Sequence, residues 1–208
     1  MTSNPPSDSV AALLKLDPDF RDLTCRMLCN NYEEFISFFY KDLDKAIREM
    51  ENNCDRFHKG DWHEDDLTIH LSQFLKGRYY DIEHDTSRGG HCDIVVKTKF
   101  NDFEWLGEAK IWKGVVYVQG GWEQLTERYT RAARGAYHGG LILYVKIQGA
   151  AGRLSEWQKH FEENIIHSSI TCSEEDNCQL DSTHVNIASG RNFNTKHIAI
   201  ALWHASAD

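Results

Sequence analysis

CDIVVKTKFNDFEWLGEAKIW, residues 92–112, is the stretch on which the fold turns. Cys92 to Thr98 reads as a strand, Asn101-Asp102 as a turn, and Glu104 to Trp112 as the antiparallel partner. Alternate residues of a strand share a face. Asp93, Val95 and Lys97 therefore share one face of the first strand, and Leu106, Glu108, Lys110 and Trp112 share one face of the second. Ala109 points to the opposite side. Two carboxylates and an ammonium are thus brought to one patch. Apolar neighbours on both strands predict partial burial, where acids close together need a cation. The alternative for Glu108 and Lys110 is an exposed ion pair worth under about 1 kcal/mol. Hard divalent cations such as Mg²⁺ take oxygen ligands, commonly one or two carboxylates with water and substrate phosphate.

Working outward, a helix opens near Lys59-Gly60-Asp61; Leu67, Leu71, Phe74 and Leu75 follow its period, and Gly77 is its stop. Glu64 lies in its first turn, with Asp65 or Asp66 taking its place if the register is rotated. An acid there also meets the helix dipole favourably without any function. Tyr79 to Glu83 reads as a short strand. After the hairpin come a helix over 122–134, a strand over 141–147, a helix over 154–166, and extended segments over 184–188 and 197–203. The order implies an α/β fold, a central mixed sheet flanked by helices. Towards the N-terminus, residues 1–9 read as a flexible lead-in and residues 10–56 as a helical extension. That extension is either a packing layer over the core or an assembly surface. Residues 57–208 form the remaining domain.

The 208 residues suffice for one α/β unit with a helical extension. A hydrophobic fraction of 41% predicts a folded chain, and no apolar run approaches the roughly 20 residues that span a bilayer. No secretory signal opens the sequence, so the protein is expected to be cytoplasmic, with no membrane partner. Six cysteines without a dense framework read as reduced thiols, and Cys25-x3-Cys29 on a helix lacks the second pair that structural zinc needs. The net charge of −9 runs against nucleic-acid binding, which depends on Lys and Arg.

The ordered set of Glu64, Asp93 after Gly89-Gly90-His91-Cys92, Glu108-Ala109-Lys110, and a helix with Gln124 and Tyr129 resembles the PD-(D/E)xK, restriction-endonuclease-like nuclease superfamily, in its Mrr-like and RecB-like branches. The resemblance covers about residues 61–147. It implies a restriction-endonuclease-like fold and phosphodiester hydrolysis with Mg²⁺ or Mn²⁺. It also implies metal ligation by Asp93, Glu108, the Ala109 carbonyl and Glu64, directly or through water. Lys110 would orient the attacking water, and Gln124 would assist. His91 and Glu83 are further candidates for the metal, with His63 and His70 behind them. The substrate implied is nucleic acid, above all DNA, as in prokaryotic defence and restriction systems. Two positions depart from the pattern: Cys92 stands where the family has proline, and Gln124 and Tyr129 are five residues apart rather than four. On an α-helix that spacing puts Gln124 and Arg128 towards phosphate and Leu125 with Tyr129 towards the core. Arg128, Arg131, Arg134 and Lys113 form the expected nucleic-acid-binding patch. Given the acidic charge, the working form is expected to be a homo-oligomer or a complex with a partner protein, through the N-terminal helices. A nuclease-fold module without catalysis is the alternative, but such modules lose an acid or the lysine, and none is missing here.

Overall fold

The computed structural model describes residues 11–12, 14–15, 17–59, 61–87, 91–165, 168–172 and 176–205. The lead-in expected over 1–9 and the glycines of the 88–90 loop lie outside them. Residues 11–12 and 14–15 are helical, and the helices α1 (Pro18–Met27), α2 (Tyr32–Asn52) and α3 (Cys54–Lys59) follow. Asp17 caps α1 through the amides of Asp19 and Phe20, with proline at the first turn, and Asn31 caps α2 through Glu34. Helix α4 (Glu64–Lys76) ends at Gly77, as the apolar period and the glycine predict.

Strands β1 (Asp81–Ser87), β2 (His91–Lys97) and β3 (Glu104–Ile111) form an antiparallel meander. The first starts two residues later than predicted, because Tyr79 adopts a left-handed backbone (φ 72°) that an extended strand cannot contain. Helix α5 (Val115–Glu123) runs into a π-helical turn at Gln124–Tyr129 and crosses over to β4 (His138–Val145), which is parallel to β3. This corrects the helix read over 122–134. It begins seven residues earlier and cannot continue past 129, where Thr130 is extended and Ala132 is left-handed (φ 46°). Helix α6 (Ala150–Asn164) follows, then β5 (Ser168–Cys172), β6 (Gln179–Val185) and β7 (Asn192–Ala201). The sheet order is β1-β2-β3-β4-β7-β6-β5, parallel at its centre and antiparallel towards both edges.

Helices cover both faces. Strand β4 shows the division: Ile142 and Tyr144 pack with α2, α3 and α4, whereas Leu141, Leu143 and Val145 pack with α5 and α6. The apolar stripe of α2 (Phe35, Phe39, Leu43, Ala46, Met50) is buried in the first of these cores, so residues 32–52 are a packing layer over the sheet. A third cluster joins Cys92, Val95 and Leu106 to Leu125 and Tyr129 of the π-turn and to Phe193. Among the described residues no helix is long and apolar enough to cross a membrane.

Candidate active site

Pairing between β2 and β3 runs from Lys97↔Glu104 to Ile94↔Gly107 and then stops. Beyond that point the backbone N–H groups of β3 need other acceptors, since an unpaired buried amide is costly. Asp93 accepts from the Ala109 amide (2.8 Å) and Glu64 from the Ile111 amide (2.6 Å). The two carboxylates thus stand where the strands part. Glu108 and Lys110 lie between them on the α5 side of β3, while Ala109 points into the opposite core, as strand alternation predicts.

Lys110 is the hub. Its Nζ donates to Glu108 Oε1 at 2.5 Å and lies 3.5 Å from Glu64 Oε1 and 3.9 Å from Asp93 Oδ2. One ammonium faces three carboxylates, and Glu108 is only 1% exposed. Burial and the neighbouring Asp93 charge push Glu108 up to about 8. Burial also raises Asp93, against its bond from Ala109. Desolvation alone would lower Lys110, but Glu108, Asp93 and Glu64 outweigh it and hold the ammonium charged. The second oxygen of Glu108, Oε2, is buried with no partner among the described groups. A buried carboxylate oxygen without a donor, beside two more acids, fits a bound cation. Among the described residues no group of three or more His, Cys, Asp or Glu side chains is already placed to hold a metal ion.

Two contributors escaped the sequence reading. Tyr117 of α5 places its hydroxyl 3.3 and 3.4 Å from the two Glu64 oxygens. Gly121 lets α5 lie directly on the site: a Cβ there would come within 2.9 Å of Lys110 Cγ and 3.4 Å of Glu108 Cγ. The Gly120-Gly121 pair just before Trp122 was the available signal, since glycine inside a helix marks a close approach.

The other expected residues divide. Leu125 and Tyr129 are buried, Gln124 is half-buried and Arg128 is exposed. Tyr129 nevertheless feels the acidic cluster, for burial and then the charges of Glu108 and Asp93 push its hydroxyl up to about 12. Residues five apart do not align on an α-helix, but this segment closes i→i+5 turns, which bring Gln124 and Tyr129 into line. Lys113 is exposed, with Nζ 4.8 Å above the Tyr117 ring. Arg131 donates to the carbonyls of Glu127, Arg128 and Thr130, ending the π-turn, and Arg134 is exposed in the loop beyond. Glu83 receives a 2.6 Å bond from Lys97. His91 begins β2, and its side chain lies outside the described residues. His63 precedes α4 and receives its cap from Asp66 through its own amide. His70 packs edge-on against Phe57 and Trp62. Cys25, Cys29, Cys54, Cys92 and Cys178 are free thiols.

A serine–histidine pair also exists, Ser182 Oγ and His197 Nε2 at 2.7 Å, with Trp157 Nε1 donating to His197 Nδ1 at 3.0 Å. His197 is fully buried and Ser182 nearly so, which suits a satisfied core network and denies access to a substrate. No match to this chain was found among family models, curated proteins or solved structures.

Proposed function

We propose that this chain is a metal-dependent nuclease of restriction-endonuclease-like fold that hydrolyses phosphodiester bonds, with DNA as its substrate and a defence or restriction role. The observation that carries the reading is Glu108: a buried carboxylate with one oxygen on Lys110 and the other partnerless, beside Asp93 and Glu64 where β2 and β3 part. The order α4–β1–β2–β3–α5–β4 supports the fold, because it sets the acid of a leading helix, the meander and the crossover helix around one point.

Asp93 and Glu108 would hold Mg²⁺ or Mn²⁺, with the Ala109 carbonyl and Glu64 as further oxygen donors. When bound, such an ion supplies a water of lowered pKa and neutralises charge on the phosphate. Lys110 keeps its proton at Nζ, so it acts as a hydrogen-bond donor that orients the attacking water and the phosphate oxygen, and not as a base. Glu64, fixed by the Ile111 amide and Tyr117, aligns Lys110 from the far side. Tyr129 limits water on the π-turn side, and Gln124, half-buried at the start of that turn, would assist. Since α2 is committed to the core, oligomer or partner contacts through the N-terminal helices fall to α1, none of whose residues is buried.

The test is cleavage of plasmid, linear duplex, single-stranded DNA and RNA with Mg²⁺, Mn²⁺ or EDTA, alongside Asp93→Ala, Glu108→Ala and Lys110→Ala. Metal-dependent DNA cleavage, lost in all three variants while they stay folded, is expected. Activity unaffected by chelator, or a fully active Lys110→Ala, would overturn the reading.

A further inference from the structure

Among the described residues, every ion pair of Glu64, Asp93 and Glu108 is made with one ammonium, that of Lys110, at 3.5, 3.9 and 2.5 Å. The Lys110 side chain is 12% exposed and that of Glu108 1%, so water screens these charges little. Three carboxylates so close together repel one another, and a cation among them offsets the repulsion. In the metal-free protein Lys110 is that cation.

The same geometry sets up a conflict. A divalent ion on Asp93 and Glu108 would stand beside an ammonium that is already within ion-pair distance of both. Two positive charges that close, with little water between them, repel strongly. The ammonium has another berth. Glu64 Oε1 lies 3.5 Å from Nζ, and Glu64 is itself held by the Ile111 amide and the Tyr117 hydroxyl, so it keeps its place when Nζ turns towards it. The Tyr117 ring adds a cation–π face, its centroid 6.0 Å from Nζ. The stem of Lys110 packs against α5 at Gly121, so only the tip need move.

We propose that Lys110 is the resident counter-ion of the metal-free site, and that it yields its place beside Glu108 and Asp93 to a divalent ion by turning towards Glu64 and Tyr117. This role rests on the metal-dependent nuclease reading and adds a control to it. Lys110 weakens the site's hold on the ion, and so sets the ion concentration at which the site fills.

Calorimetry of the full chain with Mg²⁺ and with Ca²⁺, without nucleic acid and at about pH 8.5, where protons compete least for the carboxylates, tests it. Lys110→Met should bind the ion at least about tenfold more tightly than the parent, although it should not cleave. Lys159→Met removes the same charge at an exposed position of α6 and should change the affinity by less than about twofold. In EDTA Lys110→Met should melt below the parent, and added Mg²⁺ should raise its melting temperature by more than it raises the parent's. Should Lys110→Met fail to fold, spectra of the parent labelled with ¹³C-lysine decide: one lysine Cε signal should move during the titration, with the dissociation constant that calorimetry gives. Equal or weaker binding by folded Lys110→Met, or lysine signals that all stay fixed while the ion binds, would overturn the proposal and leave the nuclease reading standing. No binding of either ion by either chain would overturn the metal-dependent reading along with it.

Discussion

Glu108 sits where burial and charge oppose each other most strongly. Its folded pKa, near 8, is raised above that of an unfolded glutamate, so between about pH 4.5 and 8 the metal-free folded state binds a proton that the unfolded state has released. Stability from this group is therefore present at low pH and lost as pH rises through that window. Glu108→Gln removes the cost, and in EDTA at pH 8 it should raise stability by about 1–3 kcal/mol, a gain that vanishes near pH 4.5. Cleavage should fall by more than about a thousandfold in the same variant. Thermal unfolding at the two pH values checks this, and a variant less stable at pH 8 would mean that the acids do not repel. Gly121 makes a separate prediction. A methyl group at Gly121 displaces the stem of Lys110, so Gly121→Ala should cut activity by about ten- to a hundredfold with little change in melting temperature. At Gly120 a methyl meets nothing within 4 Å, so Gly120→Ala should keep full activity and gain up to about 1 kcal/mol of helix propensity. Equal activities would show that the close approach at Gly121 does not matter.

The elements differ in how openly the sequence announces them. Strands β2 and β3 were legible because alternation on a half-buried strand leaves one reading, which also separated Glu108 and Lys110 from Ala109. Helix α4 was legible from its period and from Gly77. Helix α5 was not: Val115, Val116 and Val118 are β-branched and Gly120-Gly121 are poor helix formers, so tertiary packing overrides propensity there. Strand β5, with the mostly polar SSITC, offers no alternation to a half-buried face. No local signal announced the Arg26–Asp42 pair that ties α1 to α2. Asp42 is fully buried, bound by both Arg26 and the Tyr80 hydroxyl. Removing the arginine leaves a buried carboxylate short of its cation, so Arg26→Met should cost about 3–5 kcal/mol, and adding Asp42→Asn should recover a good part. Denaturant unfolding of the two single variants and the double one measures this; additive losses would show that the pair is uncoupled.

At the scale of the whole molecule, the proposed nuclease must reconcile a net charge of −9 with a polyanionic substrate. The field of such a protein repels nucleic acid except where cations gather. Among the described residues, the exposed cations of α5, its flanking loop and the π-turn that make no hydrogen bond to carbonyls are Lys113 and Arg128, because Lys110 is taken up by its acids and Arg131 is bound to the carbonyls that end the π-turn. Each phosphate neutralised contributes a slope of about −0.9 to log affinity against log salt, so one chain acting alone should show a slope of only about −2 to −3. Lys113→Ala and Arg128→Ala should each flatten that slope by about one and weaken binding equally across sequences, since contacts to phosphate carry no base information. Filter binding of a labelled duplex to the Lys110→Met variant, from about 50 to 200 mM salt, gives the slope. Light scattering at the same protein concentrations gives the number of chains. A shallow slope with a monomer means that the local patch alone holds the substrate. A slope steeper than about −6 with a monomer cannot come from Lys113 and Arg128 alone and would disprove the assignment. The same slope with a dimer means that a second chain supplies the missing cations, and Leu28→Glu on the exposed end of α1 should then return both the mass and the slope to the monomer values.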